Sequence, residues 1–127
     1  IGTLRAGAIA GLITSTATGE QMAAMLVDTG ARHLFLDEKA AESLQGQSYG
    51  DVHPISMDDG SWGTPLSQWM ASVGAAPHPV DITPETGFNI IYSSGTTGLP
   101  KGCMHTHGTI MHNALASGLW SKAPFAG

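Results

Sequence analysis

Apolar residues along this chain come in two patterns, short unbroken blocks and singles spaced three or four apart, and the two alternate. Ala8, Ile9, Ala10, Gly11, Leu12 and Ile13 form the first block, which predicts a short buried strand of small residues. Ahead of it, residues 1–6 suit the last turn of a helix closed near Gly7. Residues 19–29 then carry Met22, Met25 and Leu26 at i, i+3 and i+4, one face of a helix. Thr18 and Gln21 supply a T-x-x-Q capping box, and Gly30 is placed to end the helix in the left-handed region. Leu34-Phe35-Leu36 is the next block, predicted as a buried parallel strand, and Asp37 stands where it would cap a helix over 38–45. Strand, helix, strand, helix over 8–45 marks a parallel α/β unit. The predicted fold class is therefore α/β with parallel strand–helix units.

The pattern weakens in the middle of the chain and returns near its end. Residues 52–56 form a weak strand interrupted by Pro54, which assigns it to a sheet edge. Asp58-Asp59-Gly60 has turn composition; its paired carboxylates offer a cation site, and a solvated turn is the better reading. Residues 65–73 suggest a short helix with Leu66, Trp69, Met70 and Val73 on one side. Residues 74–87 hold Pro77, Pro79 and Pro84 and form an extended connector, long for a compact domain. An apolar block at 88–92 predicts a buried strand, and 103–106 an outgoing strand. A helix follows from 106 or 107 to about 120, with Ile110, Met111, Ala114, Leu115 and Leu119 as its buried face.

Between those last two strands lies the stretch with the clearest chemistry, Ser93-Ser94-Gly95-Thr96-Thr97-Gly98-Leu99-Pro100-Lys101-Gly102. Gly95, Gly98 and Gly102 let backbone N–H groups approach an anion closely. Ser93, Ser94, Thr96 and Thr97 offer hydroxyl donors, and Lys101 adds a mobile point charge suited to phosphate. Each charge-assisted contact is worth roughly 1.5–3 kcal/mol. The string differs from the common P-loop, in which a lysine follows glycine and precedes a hydroxyl. Here Pro100 precedes Lys101 and Gly102 follows it.

Composition narrows the function classes. The chain has 127 residues, 42% hydrophobic, which fits one domain better than two. A net charge of −5, with no basic patch, argues against nucleic acid as a partner. Only 12% of residues are charged, which suggests surface that other protein normally covers. No apolar run approaches the length of a membrane span, and no signal peptide is evident. Cys103 is the single cysteine, so an internal disulfide is excluded and a reducing, cytoplasmic setting fits. Its apolar surroundings predict a buried, inert thiol. His105 and His107 share a strand face and, with His112, suggest a metal site. With no Asp or Glu close by in sequence, ordinary polar or capping histidines are the better reading. The start at Ile1, inside an ongoing pattern, reads as a piece of a longer protein.

Tyr92-Ser93-Ser94-Gly95-Thr96-Thr97-Gly98-Leu99-Pro100-Lys101-Gly102 closely resembles the phosphate-binding signature of the adenylate-forming (AMP-binding) superfamily. That superfamily includes acyl-CoA synthetases, aryl-CoA ligases, peptide synthetase adenylation domains and firefly luciferases. Residues 5–12 and 20–37 resemble the family's preceding helix and strand segments more weakly, and 46–80 match least. The resemblance implies that residues 1–127 are part of the large N-terminal domain of an ATP-dependent acid–CoA ligase, acting on a fatty or other organic acid. Such enzymes activate a carboxylate as acyl-AMP and then transfer it to CoA. It implies that the loop over 92–102 holds the β- and γ-phosphates through Ser93, Ser94, Gly95, Thr96, Thr97, Gly98 and Lys101, with Ser93 also contacting magnesium. The implied cofactors and substrates are ATP, Mg2+, CoA and a carboxylic acid. The implied partners are the remainder of the N-terminal domain and a C-terminal domain. The family's adenine-binding, ribose-binding and C-terminal lysine segments do not occur here. No catalytic residue is therefore assigned, and these residues alone are expected to be inactive. An adenylation domain of peptide synthetase type and a non-catalytic nucleotide-binding remnant are the alternatives.

Overall fold

A computed structural model describes residues 2–93 and 100–121. The chain opens with one helical turn, α1 (Gly2–Arg5), turns at Gly7 with φ +69°, and enters strand β1 (Ala10–Leu12). Helix α2 (Gly19–Thr29) starts as its caps dictate. Thr18 Oγ1 accepts the Gln21 N–H at 3.2 Å, and Gln21 Oε1 accepts the Thr18 N–H at 3.0 Å. Gly30 closes it with φ 59° and ψ 30°. Strand β2 (His33–Leu36) leads into α3 (Glu38–Leu44), where Asp37 Oδ1 accepts the Ala40 N–H at 2.9 Å. Strands β3 (His53–Ser56) and β4 (Thr64–Pro65) and the single-turn helix α4 (Leu66–Trp69) complete the first half. Residues 74–86 contain no helix or strand. Strands β5 (Gly87–Ser93) and β6 (Lys101–Thr106) and helix α5 (His107–Ser121) follow.

The strands form two three-stranded sheets, ordered β1-β5-β6 and β2-β3-β4. The second is wholly parallel, with Leu36 opposite Ser56 and Ile55 opposite Thr64. In the first, β1 runs parallel to β5 with Leu12 opposite Ile91, and β5 runs antiparallel to β6. The parallel strand–helix units predicted for the first half are present, and the fold class is α/β.

The core gathers where α2 and α3 cover β2. Met22, Ala23, Met25, Leu26, Leu36, Ala41 and Leu44 form one buried cluster. Full burial of such a side chain is worth about 1.5–3 kcal/mol. The two helices touch at Gly19, where an added Cβ would collide with the Ser43 carbonyl oxygen.

Several expectations are corrected. Strand β3 is the centre of its sheet, not an edge, and Ile55 is fully buried. Pro54 is tolerated because the flanking His53 and Met57 amides point to β2, bonding Arg32 O and Leu36 O at 2.9 Å. The missing Pro54 donor thus faces the other side, where pairing with β4 begins only at Ile55. The helix expected over 65–73 is one turn, because Met70 is already extended with ψ 140°. Trp69 leaves the expected stripe to meet Phe35 edge-on at 5.1 Å, and Met70 and Val73 are exposed. Phe35 is also exposed, with Trp69 of the one-turn α4 as its ring partner.

The blocks at 8–13 and 88–92 are strands but are not buried: Leu12 is 56% and Ile91 43% exposed. In β5 only Asn89 is buried. Cys103, opposite Ile91 on β6, is exposed too, so the expected buried thiol is not found. On α5, Ile110 is half-buried, whereas Met111, Ala114 and Leu115 are exposed; the Leu119 side chain lies outside the described set. The common cause is cover. Cover among the described residues is enough to bury Asn89 on this face of the sheet but leaves Leu12 and Ile91 about half exposed.

Candidate nucleotide-phosphate site

Strands β5 and β6 are the two arms that carry the hydroxyl- and glycine-rich stretch. Their outermost pair is Ser93 opposite Lys101, and the next is Tyr92 opposite Gly102. Ser93 and Lys101, the first and last predicted phosphate contacts, are thereby held side by side and exposed at the end of a paired ladder. The contacts assigned to Ser94, Gly95, Thr96, Thr97 and Gly98 lie outside the described residues. Because β1 and β5 are parallel, the chain leaves β1 at Ile13 on the same edge at which β5 ends at Ser93. Carboxyl ends of parallel strands are the usual place for a ligand in open α/β sheets.

Under the Ser93–Lys101 pair sits an arrangement that the sequence reading missed. A Cβ on Gly102 would lie 3.1 Å from Ile90 Cγ2 and from two carbons of the Tyr92 ring, so the ring fills the space a side chain would take. The Tyr92 hydroxyl reaches α2, donating to Asp28 Oδ2 at 2.6 Å, with Met25 O at 3.2 Å as a second acceptor. Burial, then the hydrogen bond and charge of Asp28, push the phenol above its ordinary pKa, which keeps it a donor. The available signal was Asp28 itself, an acid in the last turn of a helix, where the dipole disfavours negative charge.

The other candidates separate. His105 Nδ1 lies 3.0 Å from Asn89 Oδ1, which satisfies the buried amide. His107 opens α5 and meets Phe88 edge-on at 5.0 Å. The two therefore do not share a strand face. Among the described residues no group of three His, Cys, Asp or Glu could hold a metal ion. Asp58 accepts hydrogen bonds from Ser56 Oγ at 2.8 Å and from the Glu38 N–H at 3.0 Å, which hold its carboxyl below the usual range. Asp59, at φ 52°, accepts from the Ser67 N–H and hydroxyl. Both carboxylates are occupied in tying the turn to α3 and α4. For magnesium, Ser93 fits only as a single oxygen donor, in keeping with an ion that takes few protein ligands beside substrate phosphates.

No described helix is long and apolar enough to cross a membrane. A cavity of about 360 Å³ opens between Ile13–Ser15 and the helices α2 and α3, lined chiefly by core side chains such as Met22, Leu26 and Leu44.

The sequence pattern of the family described as AMP-binding enzyme matches residues 1–126. A fatty acid–[acyl-carrier-protein] ligase, ScoC of Streptomyces coeruleorubidus, is 33% identical over 103 residues, covering 79% of this chain and 19% of that protein. The long-chain-fatty-acid–CoA ligase FadD13 of Mycobacterium tuberculosis is 27% identical over 116 residues, covering 91% of this chain and 23% of its own length. Gramicidin S synthase 2 of Brevibacillus brevis is 30% identical over 123 residues, 97% of this chain and 2% of that protein. Among solved structures, the N-terminal domain of FACL13 from Mycobacterium tuberculosis superposes with a TM-score of 0.73 at 26% identity, over 91% of this chain and 30% of that one. The chain thus spans about a fifth of the length of the fatty acid ligases it matches. The chain belongs to the AMP-binding, adenylate-forming enzyme family.

Proposed function

We propose that this chain is part of the N-terminal domain of an ATP-dependent acid–CoA ligase. In the first half-reaction a carboxylate oxygen attacks the α-phosphorus of ATP. The bond to the β-phosphate breaks, and pyrophosphate leaves with the electron pair. In the second, the CoA thiol displaces AMP from the acyl carbon. The residues of this chain act on the leaving group. Lys101 and the hydroxyls of Ser93, Ser94, Thr96 and Thr97 would hold the β- and γ-phosphates, and N–H groups at Gly95 and Gly98 would approach their oxygens. Donors aimed at the departing charge lower the barrier without rearranging during the step. Magnesium, when bound, neutralises phosphate charge; the Ser93 hydroxyl would be one of its contacts. The remainder of the N-terminal domain and a C-terminal domain would supply the acid pocket and the adenosine site, in the cytoplasm.

The observation that supports this reading is the pairing of Ser93 with Lys101 at the open end of β5–β6, on the edge where parallel strands end. Similarity to two fatty acid ligases favours an organic acid as substrate. Similarity to gramicidin S synthase 2 favours a second reading, an amino-acid-activating adenylation domain. Acid-dependent ATP–pyrophosphate exchange by the enzyme that carries this chain separates them. Exchange with medium- or long-chain fatty acids and none with amino acids is the expected result. The reverse pattern would overturn the CoA-ligase reading.

A further inference from the structure

We infer that Tyr92 and Asp28 form a positioning pair that sets the place of Ser93 and Lys101 relative to helix α2. The inference rests on the nucleotide reading above and adds two residues outside the hydroxyl and glycine string. Tyr92 precedes Ser93 in β5, and Gly102 follows Lys101 in β6. The Tyr92 ring lies in the side-chain space of Gly102, so one aromatic packs against both arms directly beneath the Ser93–Lys101 pair. A two-stranded end of this kind is weakly held by its ladder alone. Beyond the Leu12–Ile91 pairing with β1, it is tied to α2 by the Tyr92 hydroxyl, which reaches Asp28 Oδ2 at 2.6 Å and Met25 O at 3.2 Å. Met25 belongs to the buried core, so the tether ends on a helix packed into that core.

Asp28 breaks a local rule to serve here. It is an acid in the last turn of α2, where no basic residue offsets the dipole. Departures of this kind concentrate at sites kept for function. A structural contact alone would also be met by an apolar residue over Gly102. The hydroxyl and carboxylate add direction, because a hydrogen bond fixes where the ring stands. Neither residue touches the nucleotide in this scheme; both act through Ser93 and Lys101.

The test uses the enzyme that carries this chain, with ATP and acid concentrations varied separately. Tyr92→Phe, which removes only the hydroxyl, should raise the KM for ATP about fivefold and leave the KM for the acid within about twofold. Asp28→Ala should match it, Asp28→Asn should restore ATP use because its amide oxygen still accepts, and the double variant should be no worse than either single one. An unchanged KM for ATP in Tyr92→Phe, or equal rises for both substrates, would overturn the pair. A wild-type enzyme indifferent to ATP would instead sink the nucleotide reading. The tether would then be judged by amide exchange in β6, which Tyr92→Phe should speed about fivefold while β3 stays unchanged; no change there would overturn it.

Discussion

The two sheets have equal numbers of strands and opposite fates. The β2-β3-β4 sheet, under α2 and α3, contains Leu36, Ile55 and Ser56, each under a tenth exposed. The β1-β5-β6 sheet contributes one buried residue, Asn89, while Leu12, Ile91 and Met104 stand open. A parallel strand pair is ordinarily covered on both faces. Stability therefore resides in the first region and the candidate site in the second. A phosphate site needs an open strand end and exposed donors. It relies on the covered region for support, and the Tyr92 side chain ties it to α2.

Side-chain truncation should separate the two regions. Met25→Ala and Ile55→Ala should each cost about 2–5 kcal/mol in urea unfolding, because each leaves a cavity in the packed region. Leu12→Ala and Ile91→Ala should stay within about 0.5 kcal/mol, as surface changes do. Equal losses in the two sets would mean that the β1-β5-β6 face is covered in solution. Gly19→Ala probes the helix contact of the covered region. Its Cβ would meet the Ser43 carbonyl, so the change should cost about 1–3 kcal/mol; a neutral result would show that α2 and α3 separate easily.

The smallest effect concerns pH. Asp58 has a lowered carboxyl pKa in the folded chain, so its stabilisation is present above its unfolded value of 3.8 and is lost as pH falls below it. Asp58→Asn should flatten the acid limb of the stability profile and leave the slope at neutral pH unchanged. An acid limb identical to wild type would show that the Ser56 and Glu38 hydrogen bonds do not favour the charged form.

What was legible in the sequence follows from how local each signal is. The capping box at Thr18 and Gln21, the Asp37 cap and the Gly30 stop are chemistry within four residues, and each appears where the pattern placed it. Parallel strand–helix order was legible for the same reason. Burial was not, because it depends on what lies over a strand; the blocks around Leu12 and Ile91 have apolar composition, yet both side chains stay about half exposed. The central place of β3 was hidden because it turns on which side of the strand lacks the Pro54 donor. In the site, Ser93 and Lys101 could be named from the string. The Tyr92–Asp28 bond joins residues 64 positions apart, and no spacing rule connects them.

The nucleotide-phosphate site is tested by Lys101→Ala in the enzyme that carries this chain, followed by ATP-titrated pyrophosphate exchange. Loss of one charge-assisted phosphate contact should lower exchange efficiency with respect to ATP about 10- to 100-fold, with the folded state intact by circular dichroism. Exchange unchanged from wild type at every ATP concentration would contradict the assignment of the β5–β6 end as the nucleotide-phosphate site.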